Sequence, residues 1–226
     1  MCGRFTLTVG LGEILERFQA EMAGDWEHTP RFNAAPTQML PVVKEKEDGC
    51  TRELVPMRWG LIPHWAKDHS IGNRLINARG ETVATKPAFR RSLKQARCLI
   101  PADGFFEWTR GPDGAKHPLR IILKKEALFA FAGLWDRWED AEGSVIQSFT
   151  IITTRPNEKM AEVHDRMPVI LHPAEESMWL DSQIQDPALL TPLLEPFDSE
   201  KMAFYPVDRL VNSPKNDEPA CIRPLT

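Results

Sequence analysis

The strand-forming sequence of this chain is concentrated in residues 97–154, RCLIPADGFFEWTRGPDGAKHPLRIILKKEALFAFAGLWDRWEDAEGSVIQSFTIITT. Apolar and aromatic runs in this segment are separated by turn residues at 111–114 and 140–143. The pattern predicts a succession of short strands. The predicted strands are residues 98–101, 104–109, 117–124, 128–135 and 144–154. Because consecutive strands joined by short turns tend to pair, we expect a mostly antiparallel sheet.

Shorter patterned segments flank this region. Further strands are predicted at residues 5–9, 39–46, 52–58, 167–171 and 202–207, with an Asp-Gly turn at 47–49. Helices are predicted at residues 12 to about 22, 87–96, 156–163 and 173–180. Residues 23–37 are predicted as a loop, and residues 67–73 as a polar, mobile segment. The sequence therefore predicts an α+β fold with a single domain, residues 1–226, formed by a curled sheet or pseudo-barrel with flanking helices.

The composition excludes several classes of protein. A hydrophobic content of 42% is sufficient for a folded core. No apolar run approaches the roughly 20 residues that span a bilayer, and the N-terminus does not resemble a signal peptide. The four cysteines are far apart, so no metal site, cofactor or disulfide is expected. A net charge of −4 argues against nucleic-acid binding by bulk electrostatics. The protein is predicted to be a cytoplasmic monomer.

The N-terminal sequence Met1-Cys2-Gly3-Arg4 has unusual chemical potential. Removal of Met1, which is usual before a small residue, leaves Cys2 with a free α-amine and a thiol on neighbouring carbons. The amine of such a group forms an imine with an aldehyde, and the sulfur then closes a thiazolidine ring. The α-amine has a pKa of about 7.7–8.0, so part of it is nucleophilic at neutral pH. The alternative is that Cys2 is an ordinary buried thiol.

Three further polar residues are candidates for proton transfer or substrate binding. Asn77 is one, although asparagine also binds its own backbone in turns. Glu107 shares one face of its predicted strand with Phe105, and on a dry face its pKa would rise towards neutrality; the alternative is a solvent-facing carboxylate. His164 follows a predicted helix, where a capping or surface histidine is the alternative.

A basic segment lies between residues 85 and 98. It contains no acidic residue, and its cations are Lys86, Arg90, Arg91, Lys94 and Arg97. On a helix most of these project from one side, where they would follow a phosphate backbone while nearby aromatic residues stack on bases. The alternative is a solvated helix face.

Six motifs, in this order, resemble those of the SOS response-associated peptidase (SRAP) family. They are Met1-Cys2-Gly3-Arg4-Phe5, Arg31-Phe32-Asn33-Ala34-Ala35-Pro36, Trp59-Gly60, Ile76-Asn77-Ala78-Arg79-Gly80-Glu81-Thr82, Asp103-Gly104-Phe105-Phe106-Glu107-Trp108 and His164-Asp165-Arg166-Met167-Pro168. The resemblance extends to Val211-Asn212. It implies a pseudo-barrel fold and a sensor of abasic sites in single-stranded DNA.

The resemblance also implies roles for individual residues. Cys2 would form a thiazolidine crosslink with the opened abasic sugar, and Asn77 would hold the amine and the sugar. Glu107 would transfer protons at the amine and during ring opening, and His164 would contact the sugar hydroxyl and assist ring opening or reversal. The implied DNA contacts are Arg4, Asn33, Trp65, Arg79, Thr153 and Arg166. Self-processing of the N-terminus is implied as well, although an aminopeptidase suffices to remove Met1.

Two positions depart from the family pattern. Ala66 stands where many bacterial relatives carry a second tryptophan after the one that matches Trp65, and residues 67–74 form a longer segment than usual.

Two other functions remain open from the residues. An N-terminal-nucleophile amidohydrolase, such as a glutamine amidotransferase, also begins Met-Cys-Gly and uses the freed amine as base. A non-catalytic DNA-binding module would use the basic helix alone.

Overall fold

A computed structural model of the protein describes residues 2–46, 48–49, 51–111 and 114–225. Met1, whose removal is predicted, lies outside the described residues, as do Cys50 and Thr226. Parts of two predicted turns, Glu47 and the pair Pro112-Asp113, are also outside them.

Within the described residues, many strands and a few short helices alternate. The strands are β1 (Phe5–Leu7), β2 (Ala20–Met22), β3 (Arg31–Ala34), β4 (Met39–Glu45), β5 (Arg52–Trp59), β6 (Asn77–Arg79), β7 (Arg97–Ala102), β8 (Gly104–Arg110), β9 (Lys116–Leu123), β10 (Phe129–Glu139), β11 (Val145–Thr154), β12 (Met167–Pro168), β13 (Ile170–Leu171) and β14 (Met202–Pro206). The helices are α1 (Leu11–Phe18), α2 (Arg90–Gln95), α3 (Glu158–Ala161), α4 (Glu176–Leu180) and α5 (Pro187–Leu190). The predicted α+β class is confirmed.

Five strands close into a barrel. β10 pairs with β7 and β11, β7 pairs with β4, and β4 pairs with β5, all antiparallel. The ring is closed where β5 pairs in parallel with β11, with Trp59 opposite Phe149. The indole of Trp59 stacks on the Phe149 ring with centroids 6.2 Å apart, and Phe5 packs against Trp59 with centroids 5.2 Å apart. The predicted pseudo-barrel is thus confirmed, with an aromatic core.

A second sheet has the strand order β14-β9-β8-β1-β3. β8 separates two apolar clusters, since Phe105 packs in the main core and Phe106 packs in a smaller cluster with Val207 and Val211. The alternation predicted for residues 105–108 is therefore present in the structure. None of the helices in the described part of the chain is long and apolar enough to cross a membrane.

Two local predictions for the first 40 residues were wrong. Helix α1 ends at Phe18, and Gln19 adopts a left-handed conformation with φ of 49°. Residues Ala20–Met22, predicted to be helical, instead pair in parallel with β5. Residues 31–34, predicted to be part of a loop, form β3 against β1. In both cases a distant strand supplies backbone hydrogen bonds that no local pattern announces.

The basic helix also differs from its prediction. α2 spans only six residues, and Lys86 precedes it. Arg97 lies in β7, is buried, and donates hydrogen bonds to the carbonyls of Leu93, Lys94, Trp179 and Asp181. Arg97 is therefore a structural residue rather than part of an exposed basic face, while Arg90, Arg91 and Lys94 are exposed.

The remaining predicted elements are present with modest changes. The strand predicted at 167–171 is divided into β12 and β13, and the helix predicted at 156–163 is reduced to α3. Short 3-10 helices occupy His69–Arg74, Gly80–Thr82, Pro173–Glu175, Thr191–Leu193, Ser199–Lys201, Arg209–Asn212 and Pro219–Ile222. The polar segment after Trp65 thus contains a helical turn, which the Asp68 side chain caps by accepting the Ser70 N–H.

Substitution of Gly133 tests the close packing of the barrel wall. A Cβ at this position in β10 would lie 2.0 Å from Ile100 Cδ1 and 3.0 Å from Cys98 Sγ. Because these neighbours are buried, we expect Gly133→Ala to lower the free energy of unfolding by about 1–3 kcal/mol. Chemical denaturation measures the change. The control is Gly12→Ala in α1, where a Cβ meets nothing within 4 Å and is expected to stabilise the helix; equal effects would contradict the prediction.

Candidate active site

The pairing of β1 with β8 brings the N-terminus beside Glu107. Phe5 lies opposite Phe105 and Thr6 opposite Gly104, and the Phe106 N–H donates to the Arg4 carbonyl at 3.0 Å. In this antiparallel register, the residues before Arg4 run alongside the residues after Phe106. Cys2 is fully buried there, and the Glu107 side chain is in the same interior, with only 3% of the residue exposed.

Burial changes the protonation of both groups. It raises the pKa of the Cys2 thiol well above its usual value, and the nearby Glu107 charge raises it further. Burial also raises the pKa of Glu107 to about 7. The thiol is therefore protonated at neutral pH, while the Glu107 carboxyl is present in both forms and is suited to donate and accept protons.

Asn77 fixes the main chain of Cys2. It lies at the start of β6, which pairs in parallel with β11 through Ile151 and Thr153. Its Nδ2 donates to the Cys2 carbonyl at 2.9 Å. Its Oδ1 is buried and accepts no hydrogen bond from any residue that the structure describes. The Asn77 amide therefore bonds Cys2 rather than its own turn, and it presents an acceptor oxygen next to the N-terminus.

His164 follows α3, and its ring is held by a hydrogen bond from the Arg166 backbone. Its Nδ1 lies 3.0 Å from the Arg166 N–H and 2.9 Å from an Asp165 carboxylate oxygen. Burial lowers the pKa of His164, so the ring is neutral and Nδ1 accepts the Arg166 N–H while Nε2 carries the proton. The Asp165 side chain is 88% exposed and contributes little to this arrangement. Burial is the main cause of the raised pKa of Glu107, and the Asp165 charge raises it further. The 164–165 turn therefore lies near that carboxyl.

The six residues implied to contact DNA fall into two groups. Trp65 and Arg79 are exposed, with Trp65 50% accessible. The others form two internal pairs. Arg4 Nη1 donates to Asn33 Oδ1 at 2.8 Å, and Arg166 Nη2 donates to the Thr153 carbonyl at 2.7 Å. Asn33 and Thr153 are buried, so the Asn33 side chain and the Thr153 carbonyl support the two arginines from inside the protein.

Comparison with known proteins agrees with the motifs. A sequence profile of the SOS response associated peptidase (SRAP) family matches residues 1–214. The chain belongs to the SRAP family. The abasic site processing protein YoqW of Bacillus subtilis is 48% identical over 223 residues, which cover 98% of this chain and 99% of YoqW. The abasic site processing protein HMCES of Gallus gallus is 31% identical, covering 100% of this chain and 78% of HMCES.

Solved structures have the same fold. A crystal structure of a protein from Bacteroides thetaiotaomicron superposes with a TM-score of 0.89 at 28% identity, and the match covers 100% of both chains. A second, from Bordetella bronchiseptica, has a TM-score of 0.70 at 28% identity and covers 91% of this chain and 94% of that one. The SRAP resemblance inferred from the six motifs is thus confirmed.

The loop that carries Trp65 in this SRAP protein is fixed from both sides. The His64 N–H and Nδ1 lie 2.9 Å and 3.0 Å from the same Asp136 carboxylate oxygen. The Ala66 carbonyl accepts the Trp138 Nε1 proton at 2.7 Å. Although the second tryptophan of many relatives is replaced by Ala66, the exposed indole of Trp65 is therefore presented by a well-anchored loop.

Two residues that act on the candidate site were not identified as site residues from the sequence. Glu81 binds the Arg166 guanidinium with both carboxylate oxygens, at 2.5 and 2.9 Å. Lys116 acts on His164 electrostatically: burial of the ring is the main cause of the lowered His164 pKa, and the Lys116 charge lowers it further. Glu81 lies inside a motif used for the family resemblance and was therefore detectable, whereas no local pattern around Lys116 indicates a neighbour almost 50 residues later.

Proposed function

We propose that this SRAP protein senses abasic sites in single-stranded DNA and crosslinks to them through Cys2 after removal of Met1. The proposal rests on the arrangement of Cys2, Asn77 and Glu107. The Asn77 side chain bonds the carbonyl of the buried Cys2, and the Glu107 carboxyl beside them has a pKa of about 7. The names of YoqW and HMCES as abasic site processing proteins support it.

The amine reacts first in the proposed mechanism. Because burial keeps the Cys2 thiol protonated, the neutral α-amine attacks the aldehyde carbon of the ring-opened abasic sugar. Protonated Glu107 gives its proton to the carbinolamine hydroxyl, which leaves as water and forms the protonated imine. The sulfur then adds to the imine carbon, and the thiol proton passes to the Glu107 carboxylate, which restores the acid. The balance is one aldehyde and one aminothiol giving one thiazolidine and one water.

Asn77 and His164 have supporting roles in this mechanism. The free Oδ1 of Asn77 is an acceptor for the amine, and the Asn77–Cys2 hydrogen bond fixes the amine's direction. The Nε2 proton of neutral His164 is a donor for the sugar hydroxyl during ring opening or reversal. Ring closure removes an imine that would otherwise promote strand cleavage by β-elimination, so the crosslink protects the strand. The reaction consumes the protein, and self-processing of its N-terminus belongs to the same proposal.

The DNA is proposed to lie across the surface that exposes Trp65 and Arg79. A base stacks on the Trp65 indole, and the guanidinium groups of Arg4, Arg79 and Arg166 contact phosphates, while Asn33 and Thr153 support the first and last of these arginines. Cations that follow phosphates and aromatic rings that stack on bases are the usual means of binding single strands. The chain is proposed to act as a monomer with a single domain.

Substitutions of these two exposed residues test the DNA surface. We expect Arg79→Ala to weaken binding of single-stranded DNA and to reduce the salt dependence by about one phosphate contact. We expect Trp65→Ala to cost about 1–3 kcal/mol of binding free energy with a smaller change in salt dependence, because stacking is lost rather than charge. Fluorescence anisotropy at several salt concentrations measures both. Lys46→Ala is the control, since Lys46 is partly exposed and pairs with Glu21 beyond the far end of the β4–β5 hairpin; an equal loss for all three would refute the assignment.

Intact-mass analysis tests the function directly. The protein is incubated with a single-stranded oligonucleotide that bears one abasic site, and the products are separated on a denaturing gel. The expected product is a heat-stable adduct with the mass of the protein lacking Met1 plus the DNA minus one water. An absence of adduct from protein shown to lack Met1 would refute the proposal, and hydrolysis of glutamine by that protein would favour the amidohydrolase instead.

A further inference from the structure

The C-terminal segment 211–217 is bonded to the residues that lead from Cys2 into β1. The Arg4 guanidinium donates to the carbonyls of Val211 at 2.8 Å and Asn212 at 3.3 Å. The Asn212 Oδ1 in turn accepts the Trp108 Nε1 proton at 2.7 Å. Since Arg4 is two residues from Cys2 and Trp108 follows Glu107, the segment contacts both strands that contribute to the candidate site. We name residues 211–217 the clasp.

Asn33 connects the clasp to β1. Its Oδ1 accepts from Arg4, and its Nδ2 lies 2.7–3.1 Å from three clasp carbonyls, those of Val211, Ser213 and Asn216. The side chain is fully buried and its hydrogen-bonding capacity is taken up within the protein. Asn33 therefore orients the Arg4 guanidinium, and the direction of the Asn33 side chain becomes critical.

A bulge in β3 gives Asn33 this direction. Phe5 pairs with Ala34 but Leu7 pairs with Arg31, so β3 has one more residue than β1 over this interval. Such a bulge redirects a side chain and leaves backbone groups without ladder partners. Here the N–H groups of Phe32 and Asn33 both donate to Asp217 Oδ1, at 2.6 and 2.8 Å. The other oxygen, Asp217 Oδ2, lies 2.6 Å from Arg31 Nε.

We propose that Asp217 is a positioning residue for the reaction of Cys2. Its Oδ1 holds the β3 bulge in the form that aims Asn33 at Arg4, and the clasp thereby fixes the main chain from which the nucleophile projects. This inference rests on the proposed crosslinking function. Asp217 bonds the Phe32 and Asn33 N–H groups and pairs with Arg31, so it acts through Asn33 and Arg4.

Two substitutions separate the acceptor of Asp217 from its charge. Asp217→Ala removes the acceptor of both bulge N–H groups. Asp217→Asn keeps an oxygen for those N–H groups and replaces the charged oxygen that faces Arg31 with an amide NH2. We expect Asp217→Ala to lower the crosslinking rate at saturating DNA about 10- to 100-fold, because small displacements of reacting groups have effects of this size. The DNA concentration giving half-maximal rate should change by a smaller factor than the rate, since only the proposed phosphate contact of Arg4 is disturbed and those of Arg79 and Arg166 remain.

The conservative variant and a remote control complete the design. Asp217→Asn is expected to crosslink within about threefold of the wild type, because the acceptor that holds the bulge remains. Asp198→Ala removes another carboxylate that accepts a backbone N–H, that of Glu200 at 2.9 Å, away from β1 and β3, and is expected to leave the rate unchanged. A wild-type rate in Asp217→Ala, or equal losses in Asp217→Ala and Asp217→Asn, would overturn the proposal.

Amide hydrogen exchange of residues 2–8 gives a readout that does not depend on crosslinking. We expect faster exchange in Asp217→Ala than in Asp217→Asn, Asp198→Ala and the wild type, because β1 loses its support. Equal exchange in all four proteins would overturn the positioning role. If the wild-type protein forms no adduct, the proposed function fails, and the exchange comparison alone then decides whether the clasp holds the N-terminal strand.

Discussion

Cys2→Ala is expected to abolish the heat-stable adduct and to increase cleavage of the DNA at the abasic site. Alanine is also small, so removal of Met1 should continue and leave a free α-amine. That amine forms the imine, but without sulfur no thiazolidine can close. The imine then either hydrolyses or promotes β-elimination of the strand. A denaturing gel with end-labelled DNA measures adduct and cleaved strand in the same lane, and borohydride traps the imine.

The control for this prediction is a second thiol. Cys98 is a buried free cysteine in β7, and Cys98→Ala is expected to retain the adduct. A variant with an uncleavable residue before Cys2 keeps the Cys2 nitrogen in an amide and should form no heat-stable thiazolidine adduct. A heat-stable adduct from Cys2→Ala would remove Cys2 from the mechanism. Full DNA binding with no change in DNA damage protection would favour the non-catalytic binding module.

Glu107→Gln is expected to slow crosslinking by about 10²–10⁴-fold, the usual contribution of a positioned proton carrier. Glutamine preserves the shape of the side chain but cannot take or give a proton at neutral pH. Because burial raises the pKa of Glu107 to about 7, the wild-type rate should change with pH around that value. This dependence should disappear in Glu107→Gln, leaving the titration of the α-amine, whose pKa is about 7.7–8.0. Single-turnover rates between about pH 5.5 and 8.5 measure both effects, since folded proteins are generally stable in roughly this range.

The same substitution should stabilise the fold at alkaline pH. The ordinary pKa of 4.5 is raised to about 7 in the folded protein, so folding favours the protonated form. The cost of ionising Glu107 is absent below about pH 4.5 and fully developed above about pH 7, where it is on the order of 3 kcal/mol. Glu107→Gln is therefore expected to raise the free energy of unfolding at pH 8 but not at pH 4.5.

Urea denaturation at the two pH values measures this difference. Glu142→Gln is the control, because Glu142 is exposed in the β10–β11 turn and should have little effect at either pH. Equal stability of Glu107→Gln and the wild type at pH 8 would contradict a buried carboxyl with a raised pKa. The expected combination, a slower reaction in a more stable protein, is typical of a group kept in an unfavourable environment for chemistry.

The protonation of Cys2 also bears on the amidohydrolase alternative. Such an enzyme attacks an amide with sulfur as the first nucleophile, and the thiolate is the reactive form. Burial and the Glu107 charge both raise the pKa of the Cys2 thiol, which disfavours that first step. An order in which the amine reacts first avoids this cost, and it suits an aldehyde rather than an amide.

Local sequence determined much of this protein. Alternation along residues 104–109 places Phe105 in the main core and Phe106 in the second cluster, because side chains of a strand point to opposite faces. The strands between residues 97 and 154 were predicted from apolar runs that are separated by turn residues. The four residues proposed for the chemistry were identified by motif. Only the structure shows that the Glu107 side chain is buried and that the Asn77 amide bonds the Cys2 carbonyl.

The tertiary structure decided what depends on distant partners. β3 forms because β1 offers backbone groups to residues that look like a loop, and its bulge persists because Asp217 accepts two N–H groups from 184 and 185 residues away in sequence. Arg97 does not belong to the predicted basic face, because its buried guanidinium donates hydrogen bonds to four backbone carbonyls. Periodicity in the sequence records which face of an element is apolar. It does not record which remote backbone group will need a partner, because that need arises only when the chain has folded.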